Sequence, residues 1–256
     1  MLREIFSSLA ATAAPQARRF GYVYELVAIA ARARRCRHAW APHLANSRAA
    51  MLAAAAACPQ HRTVAVLGAG ALLDVPLAAL AAQFRRVVLI DLAHLAATRL
   101  AAWRLGNVTL LQRDLSGTLA SLADPAAAAP AVQPWDWPAD FADLDLTISA
   151  NLVSQLPLLP VAIAAQRWDL APAARERLGQ RIVERHLAQL RALPGTVCLI
   201  GDVDRVATSG AIAEQQDPLF GAQLPAGEEW DWELAPPGEL PHGAVRSRVR
   251  SVLLRR

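Results

Sequence analysis

The spacing of apolar residues changes three times along the chain. From Tyr22, "YVYELVAIAARARR" repeats them at helical intervals, and "NSRAAMLAAAAAC" continues in the strongest helix former behind Asn46, a candidate N-cap. Pro42 is expected to separate these two helices. From Thr63 the pattern becomes short, continuous apolar runs, "TVAVLG", "RRVVLID" and "NVTLLQRD", which read as buried strands. Between them "LLDVPLAALAAQF" and "LAHLAATRLAAWRL" read as helices. "DLDLTISAN" is a fourth strand, "PAARERLGQRIVERHLAQLRAL" a long amphipathic helix, and "TVCLIGDVD" a fifth strand behind the Pro194-Gly195 turn. The chain ends in strict alternation: "EEWDWEL" and "AVRSRVRSVLL" set Trp and Val against Asp, Glu and Arg, and read as a hairpin around the turn "APPGELPHG".

Strands alternating with helices call for a parallel sheet with right-handed crossovers. The expectation is an α/β fold with a doubly wound, mostly parallel seven-stranded sheet closed by an antiparallel hairpin. Residues 1–60 form an N-terminal helical cap and residues 61–256 the α/β domain. "LADPAAAAPAVQPWDWPAD" reads as a surface loop.

Composition adds little to the fold but narrows the setting. The chain of 256 residues is 54% hydrophobic, mostly through alanine, and no run reaches the roughly 20 apolar residues of a membrane helix. "MLREIFSSLAATAAP" is a poor secretory signal, so a cytoplasmic protein is expected. Cys36, Cys58 and Cys198 match no metal or redox spacing and read as buried thiols. The net charge of +4 is carried by arginine without a single lysine. "ARARRCR" and "VRSRVRSVLLRR" concentrate it, which suits a solvated face or an anionic small-molecule substrate. No aromatic residues interleave with these runs, so nucleic acid is not the expected partner.

The candidate chemistry begins at "TVAVLGAGALLDVPL", where a strand breaks at Gly68-Ala69-Gly70. Two residues without Cβ let a ligand approach the backbone, beside backbone N–H groups and a helix N-terminus. Asp91 closes the second strand, where a carboxylate can accept both ribose hydroxyls, and Asp114 closes the third. A dinucleotide site wants a third small residue where this chain has Leu73, whereas a nucleoside site without a pyrophosphate does not need one.

With these residues in order, the chain resembles the class I S-adenosylmethionine-dependent methyltransferases, which are Rossmann-like. The resemblance covers about residues 63–256 and includes "RDL" after the third strand, "ISANLVSQLP" after the fourth and the closing hairpin. It implies S-adenosyl-L-methionine as cofactor and in-line methyl transfer to a small-molecule acceptor. Gly68, Ala69 and Gly70 would flank the methionine part, Asp91 and Leu92 would meet the ribose, and Asp114 and Leu115 the adenine. Asn151 would lie near the transferred methyl. The family's acidic residue two positions before the first glycine is Val66 here. Asp74, expected in the first turn of the following helix, is the candidate to replace it.

Asn151 and Gln155 can hydrogen-bond an amine or hydroxyl acceptor and are the catalytic candidates; Asp202 and Asp204 follow the fifth strand. His38, Trp40 and His43 suit either a lid or helix-junction packing. His94 and His186 fall on expected helices, and the tryptophans around Trp103, Trp135/Trp137 and Trp230/Trp232 read as core or loop anchors. No cluster has metal-ligand spacing. An NAD(P)-dependent oxidoreductase and a non-catalytic binding protein of the same fold are the alternative readings. A nucleic-acid methyltransferase is disfavoured by the absence of an Asn/Asp-Pro-Pro-Tyr/Phe signature.

Overall fold

A computed structural model describes residues 8–135, 137, 141–241 and 243–254. Residues 1–7, which open the segment read as a poor secretory signal, lie outside that set, as do four residues of the "PWDWPAD" loop, the hairpin residue at 242 and the two terminal arginines.

Five strands carry the parallel part of the sheet: β2 (Thr63–Leu67), β3 (Arg86–Asp91), β5 (Val108–Gln112), β6 (Leu144–Ala150) and β7 (Thr196–Ser209). Their order is β5-β3-β2-β6-β7, continued by β10 (Gly243–Leu254) and β9 (Glu228–Leu240). β10 runs antiparallel to both neighbours. The chain therefore winds outward from β2 to one edge, returns to β6 and winds to the other, which is a Rossmann-like doubly wound sheet. β2 and β6 are buried along their whole length, as strands covered on both faces must be. The switch in winding direction falls between β2 and β6. There the connections leave toward opposite sides and a crevice opens at the carboxyl edge.

The helices are α1 (Pro15–Arg19), α2 (Tyr22–Arg35), α3 (Arg37–Ala56), α4 (Leu77–Gln83), α5 (Ala96–Leu105), α6 (Leu119–Ala123), α7 (Leu158–Trp168) and α8 (Pro172–Ala192). α3 departs from the sequence expectation. It runs unbroken through Pro42, and Asn46 is an exposed interior residue rather than a cap; the break between helices falls at Cys36. An interior proline costs about 3 kcal/mol. Against that, α3 buries Trp40, His43, Ser47, Met51, Ala54 and Ala55 along one face. Trp40, Met51, Ala54 and Ala55 share a hydrophobic cluster with Val64, Val66, Ile148 and Ile200 of the sheet. The N-terminal helices are thus packed onto the α/β unit.

Further differences follow from contacts that no local pattern encodes. Ala93 and His94 belong not to a helix but to a two-residue strand, β4, paired with β1 (Thr12–Ala13), and α5 starts only at Ala96. α4 starts at Leu77, not at Leu72: Leu72 takes a left-handed φ of 56°, and a proline at 76 disfavours a helical residue before it. β7 continues past Asp204 and turns at Gly210 into β8 (Ile212–Gln216), giving eight strands rather than seven. Most of "APPGELPHG" is not a turn, since β9 reaches Leu240. β9 is the sheet's outer edge, where Pro236 and Pro237 forfeit no ladder bond to a further strand. The opposite charges meet as the alternation suggests: Arg248 pairs with Asp231 at 2.8 Å and Arg250 with Glu229 at 2.6 Å.

β6 also carries a buried polar row beneath α8. Asp145 is held by Arg62 at 2.5 Å, and Ser149 Oγ lies 3.0 Å from His186 Nε2. Burial pulls the His186 imidazole down to about 3 from its ordinary 6.5. The unfolded chain takes up that proton near pH 6.5 and the folded chain does not until about pH 3. Stability is therefore lost as pH falls through this window, by up to about 1.4 kcal/mol per pH unit for this one group. His186→Gln keeps a polar partner for Ser149 without the titration, so its unfolding free energy from urea melts should decline less steeply than wild type between pH 6 and 4. Identical slopes would contradict the assignment.

Candidate functional site

At the crevice lies a cavity of about 520 Å³ spanning the carboxyl ends of β5, β3, β2, β6 and β7 and roofed by α2 and α3. Its size falls within the range of about 300–1,000 Å³ usual for small-molecule sites.

The glycine bend forms its floor. Gly68 has φ +77° and Gly70 φ +32°. A Cβ on Gly68 would stand 3.0 Å from Leu152 Cβ and 3.2 Å from the Ala150 carbonyl oxygen, so only glycine lets β2 and β6 turn apart this closely. The backbone N–H groups of the bend are already engaged. Gly68 donates to Ile90 O at 2.9 Å and Gly70 to Asp91 Oδ2 at 2.7 Å. With α4 starting seven residues after Gly70, this helix does not open from the bend, contrary to the sequence expectation. What the bend offers a ligand is a floor without side chains at Gly68 and Gly70 beside an anchored carboxylate.

Asp91 is that carboxylate. Oδ1 accepts the Leu92 N–H at 2.7 Å while Oδ2 accepts from Gly70, and the Ala93 N–H also favours the charged carboxylate. Burial raises its pKa, and the Gly70 N–H and nearby His94 oppose the rise. Asp91, Leu92, Gly68, Ala69 and Gly70 all line the cavity. Leu26 of α2 reaches over the same floor: its Cδ1 lies 3.1 Å from where a Gly70 Cβ would be.

Asp114 does not join them. Its oxygens accept N–H groups from Ser116, Gly117 and Leu119 and the Ser116 hydroxyl, capping the turn into α6. The cavity wall after β5 is instead Arg113, Leu115 and Ser116. An acid at a strand end reads the same in sequence whether it faces a ligand or caps the next turn.

Beyond the bend, Asn151 sits in a left-handed conformation with φ 47° at the end of β6. Its Nδ2 donates to Asp74 Oδ2 at 2.5 Å and lies 3.4 Å from Ser47 Oγ and His43 Nε2. Its Oδ1 is buried with no hydrogen-bond partner among the described residues. Asp74 lines the cavity from the loop before α4, not from a helical first turn. Burial raises its pKa against the pull of Asn151. Val66, where the resembling family carries an acid, is fully buried in the core. Gln155 lines the cavity as well.

The remaining candidates divide. Trp40 and His43 line the cavity, while His38 is exposed. His43 stacks on Trp232 at 4.0 Å, and its Nδ1 accepts the Trp230 Nε1–H at 3.0 Å. Burial keeps the ring neutral, with its pKa pulled down to about 3. Asp202 lines the cavity; Asp204 does not, and accepts from Gln215. Trp103 is no anchor, being 77% exposed on α5. Sequence reasoning missed Arg205, Trp232 and Leu234 as wall residues, and also the roof of Tyr22, Glu25, Leu26, Ile29 and Arg32. The spacing of that roof, i, i+3, i+4, i+7, i+10, is one face of α2 and was visible as a stripe. Cys36, Cys58 and Cys198 are buried and form no disulfide with one another. No group of metal-ligating residues occurs among the described residues, and no helix among them is long and apolar enough to cross a membrane.

The φ values of Gly68 and Gly106 are nearly equal, but a Cβ at Gly106 meets nothing within 4 Å. Gly106→Ala should therefore cost only the backbone strain, about 1 kcal/mol in a denaturant melt, and Gly68→Ala clearly more. Equal losses would show that the close approach at the bend is not real.

No protein-family model matches the chain, and no curated protein matches it. Among solved structures, the chain is similar to an O-methyltransferase family protein from Burkholderia thailandensis, with 15% identity, 78% of this chain covered and a TM-score of 0.35. The match spans 48% of that protein, about half its length. It is similar to DhpI in a DhpI-SAM-HEP complex, with 15% identity over 93% of this chain and 100% of that one, TM-score 0.39. It is also similar to the glycopeptide N-methyltransferase MtfA complexed with S-adenosyl-L-methionine, with 18% identity over 79% and 75% of the two chains, TM-score 0.28. The cavity, rather than these distant likenesses, carries the functional reading.

Proposed function

We propose that the protein is an S-adenosyl-L-methionine-dependent methyltransferase acting on a small molecule. The observation that carries this reading is the cavity at the winding switch, with an anchored carboxylate over a floor where Gly68 and Gly70 have no Cβ at one side and an amide between two walls at its centre. The features fit a nucleoside better than a dinucleotide. A pyrophosphate needs free N–H groups at a helix N-terminus, and here the bend's N–H groups are spent and the helix is remote. That weighs against the nicotinamide alternative.

In this reading Asp91 receives the ribose hydroxyls, Leu92 and Leu115 flank the base, and the floor from Gly68 to Gly70 lies under the methionine part. Asp74, a carboxylate whose side-chain hydrogen-bond partner is the neutral Asn151 amide, takes the α-ammonium group in place of the family's acid. The cofactor supplies an electrophilic methyl on a sulfonium. The protein's work is alignment: Asn151 and Gln155 hold the acceptor atom in line, and α2 and α3 exclude water. Residues 1–60 act as the cap, and the α/β unit begins near residue 61. Leu26 must shift for the floor to be filled, so the α2 roof opens for loading. Three reduced thiols suit a cytoplasmic location.

Isothermal titration tests this directly. S-Adenosylhomocysteine should bind while NADH and NADPH do not, and Asp91→Ala should weaken it about tenfold or more. Asp74→Asn should weaken S-adenosylhomocysteine but leave free adenosine unchanged, because adenosine has no ammonium group. Binding of nicotinamide cofactors alone would favour the oxidoreductase, and binding of none the non-catalytic reading.

A further inference from the structure

The β7–β10–β9 side of the cavity has a composition of its own. Ser247 on β10 is registered opposite Arg205 on β7 and opposite Trp232 on β9, so the three side chains form one row across three strands. In a regular strand Asp202 and Arg205, three residues apart, would point to opposite faces. A register shift between Arg248 and Val249 leaves Val203 without a partner and brings both side chains to the same face. There Asp202 Oδ2 accepts from Arg205 Nη2 at 2.6 Å and from Ser247 Oγ at 3.3 Å, and Arg205 Nε donates to Ser247 Oγ at 3.3 Å. Asp202 is 2% exposed and Arg205 16%, so the guanidinium is the partner left open to the cavity.

Hydrogen-bond accounting shows what this end lacks. A guanidinium has five N–H donors. Asp202 and Ser247 take two, and Nη1 has no partner among the described residues. Trp232 Nε1 is buried without an acceptor. The His43 Nδ1 lone pair is filled by Trp230, which puts the proton of the neutral ring on Nε2, a further donor with no acceptor among its neighbours. The nearby carboxylates are committed, Asp202 to Arg205 and Asp74 to Asn151. Two kinds of donor, the guanidinium and the indole, thus line this wall with N–H groups that have no oxygen partner among the described residues, with His43 Nε2 on the α3 roof nearby and beside the edge-to-face pair of Trp40 and Trp232. The wall begins at β7, two strands and roughly 10 Å from β2 at ordinary strand spacing, and continues to β9 on the side away from Asp91.

We propose that this wall is an oxyanion-binding subsite formed by Arg205 and Trp232. Resting on the methyl-transfer reading above, the methyl acceptor then carries a carboxylate or a phosphate-type group whose oxygens meet those donors. Asp202 and Ser247 are positioning residues that fix the guanidinium.

The test is calorimetric titration of the intact protein, with and without saturating S-adenosylhomocysteine, using benzoate, phenyl phosphate and neutral benzamide. Benzoate and phenyl phosphate should bind at least about tenfold more tightly than benzamide, and their ranking distinguishes the carboxylate from the phosphate source. Arg205→Gln should abolish that preference and Trp232→Phe should reduce it, with S-adenosylhomocysteine affinity unchanged in both. Arg205→Gln leaves Asp202 without its cation, so the Asp202→Asn/Arg205→Gln double variant provides a neutral replacement should the single variant not fold. Equal binding of benzamide, no binding of either oxyanion, or a preference that survives loss of Arg205 overturns the subsite. Arg205-dependent oxyanion binding by a protein that does not bind S-adenosylhomocysteine would keep the subsite and remove the cofactor reading.

Discussion

The carboxylate of Asp91 ties the end of β3 to the bend that follows β2, and the site depends on that tie. By accepting the Gly70 N–H it fixes a loop that has no helix to hold it, since α4 starts only at Leu77. By accepting Leu92 N–H as well, it is held from two sides and cannot rotate away from the crevice. A buried carboxylate is costly, and the pKa of Asp91 is raised accordingly. The fold tolerates that cost at the one edge where the winding direction changes and helices cannot close over the strands.

From this tie the cavity divides along the sheet. The β3–β2 side offers a carboxylate and a smooth floor, the β6 position an amide in strained backbone, and the β7–β10–β9 side a row of donors. The antiparallel strands do more than close the sheet. β10 supplies the serine between Arg205 and Trp232, and the bulge opposite it decides that Asp202 and Arg205 share a face. The roof is charged on its outer side, where Arg35 of α2 reaches Glu239 of β9 at 2.6 Å. That pair links α2 to the far edge of the sheet.

The parallel strands were legible because each opens on a short apolar run, buried throughout in β2 and β6, and the hairpin because its alternation is strict. α3 was legible as helix but not as one helix: Pro42 is a local signal, and the burial of Trp40 and Met51 that overrides it is long-range. β8 has no apolar period at all, since every one of its residues is exposed. At the site, Gly68, Gly70, Asp91 and Asn151 could be found because strand ends and glycines mark the crevice. Asp114 resembled them in sequence, but its oxygens cap a turn. Arg205 could not be found, because its place in the wall depends on a bulge, and neither strand's sequence announces which residue will be left unpaired.

The central claim is that the crevice beside Asp91 is shaped for one adenosine. A crystal structure of the protein with S-adenosylhomocysteine measures this most directly. Both ribose hydroxyls should lie within hydrogen-bonding distance of the Asp91 carboxylate and the methionine end over Gly68–Gly70, with its ammonium group against Asp74. Density for the ligand elsewhere, or a ribose that leaves Asp91 bonded only to backbone N–H groups, would contradict it.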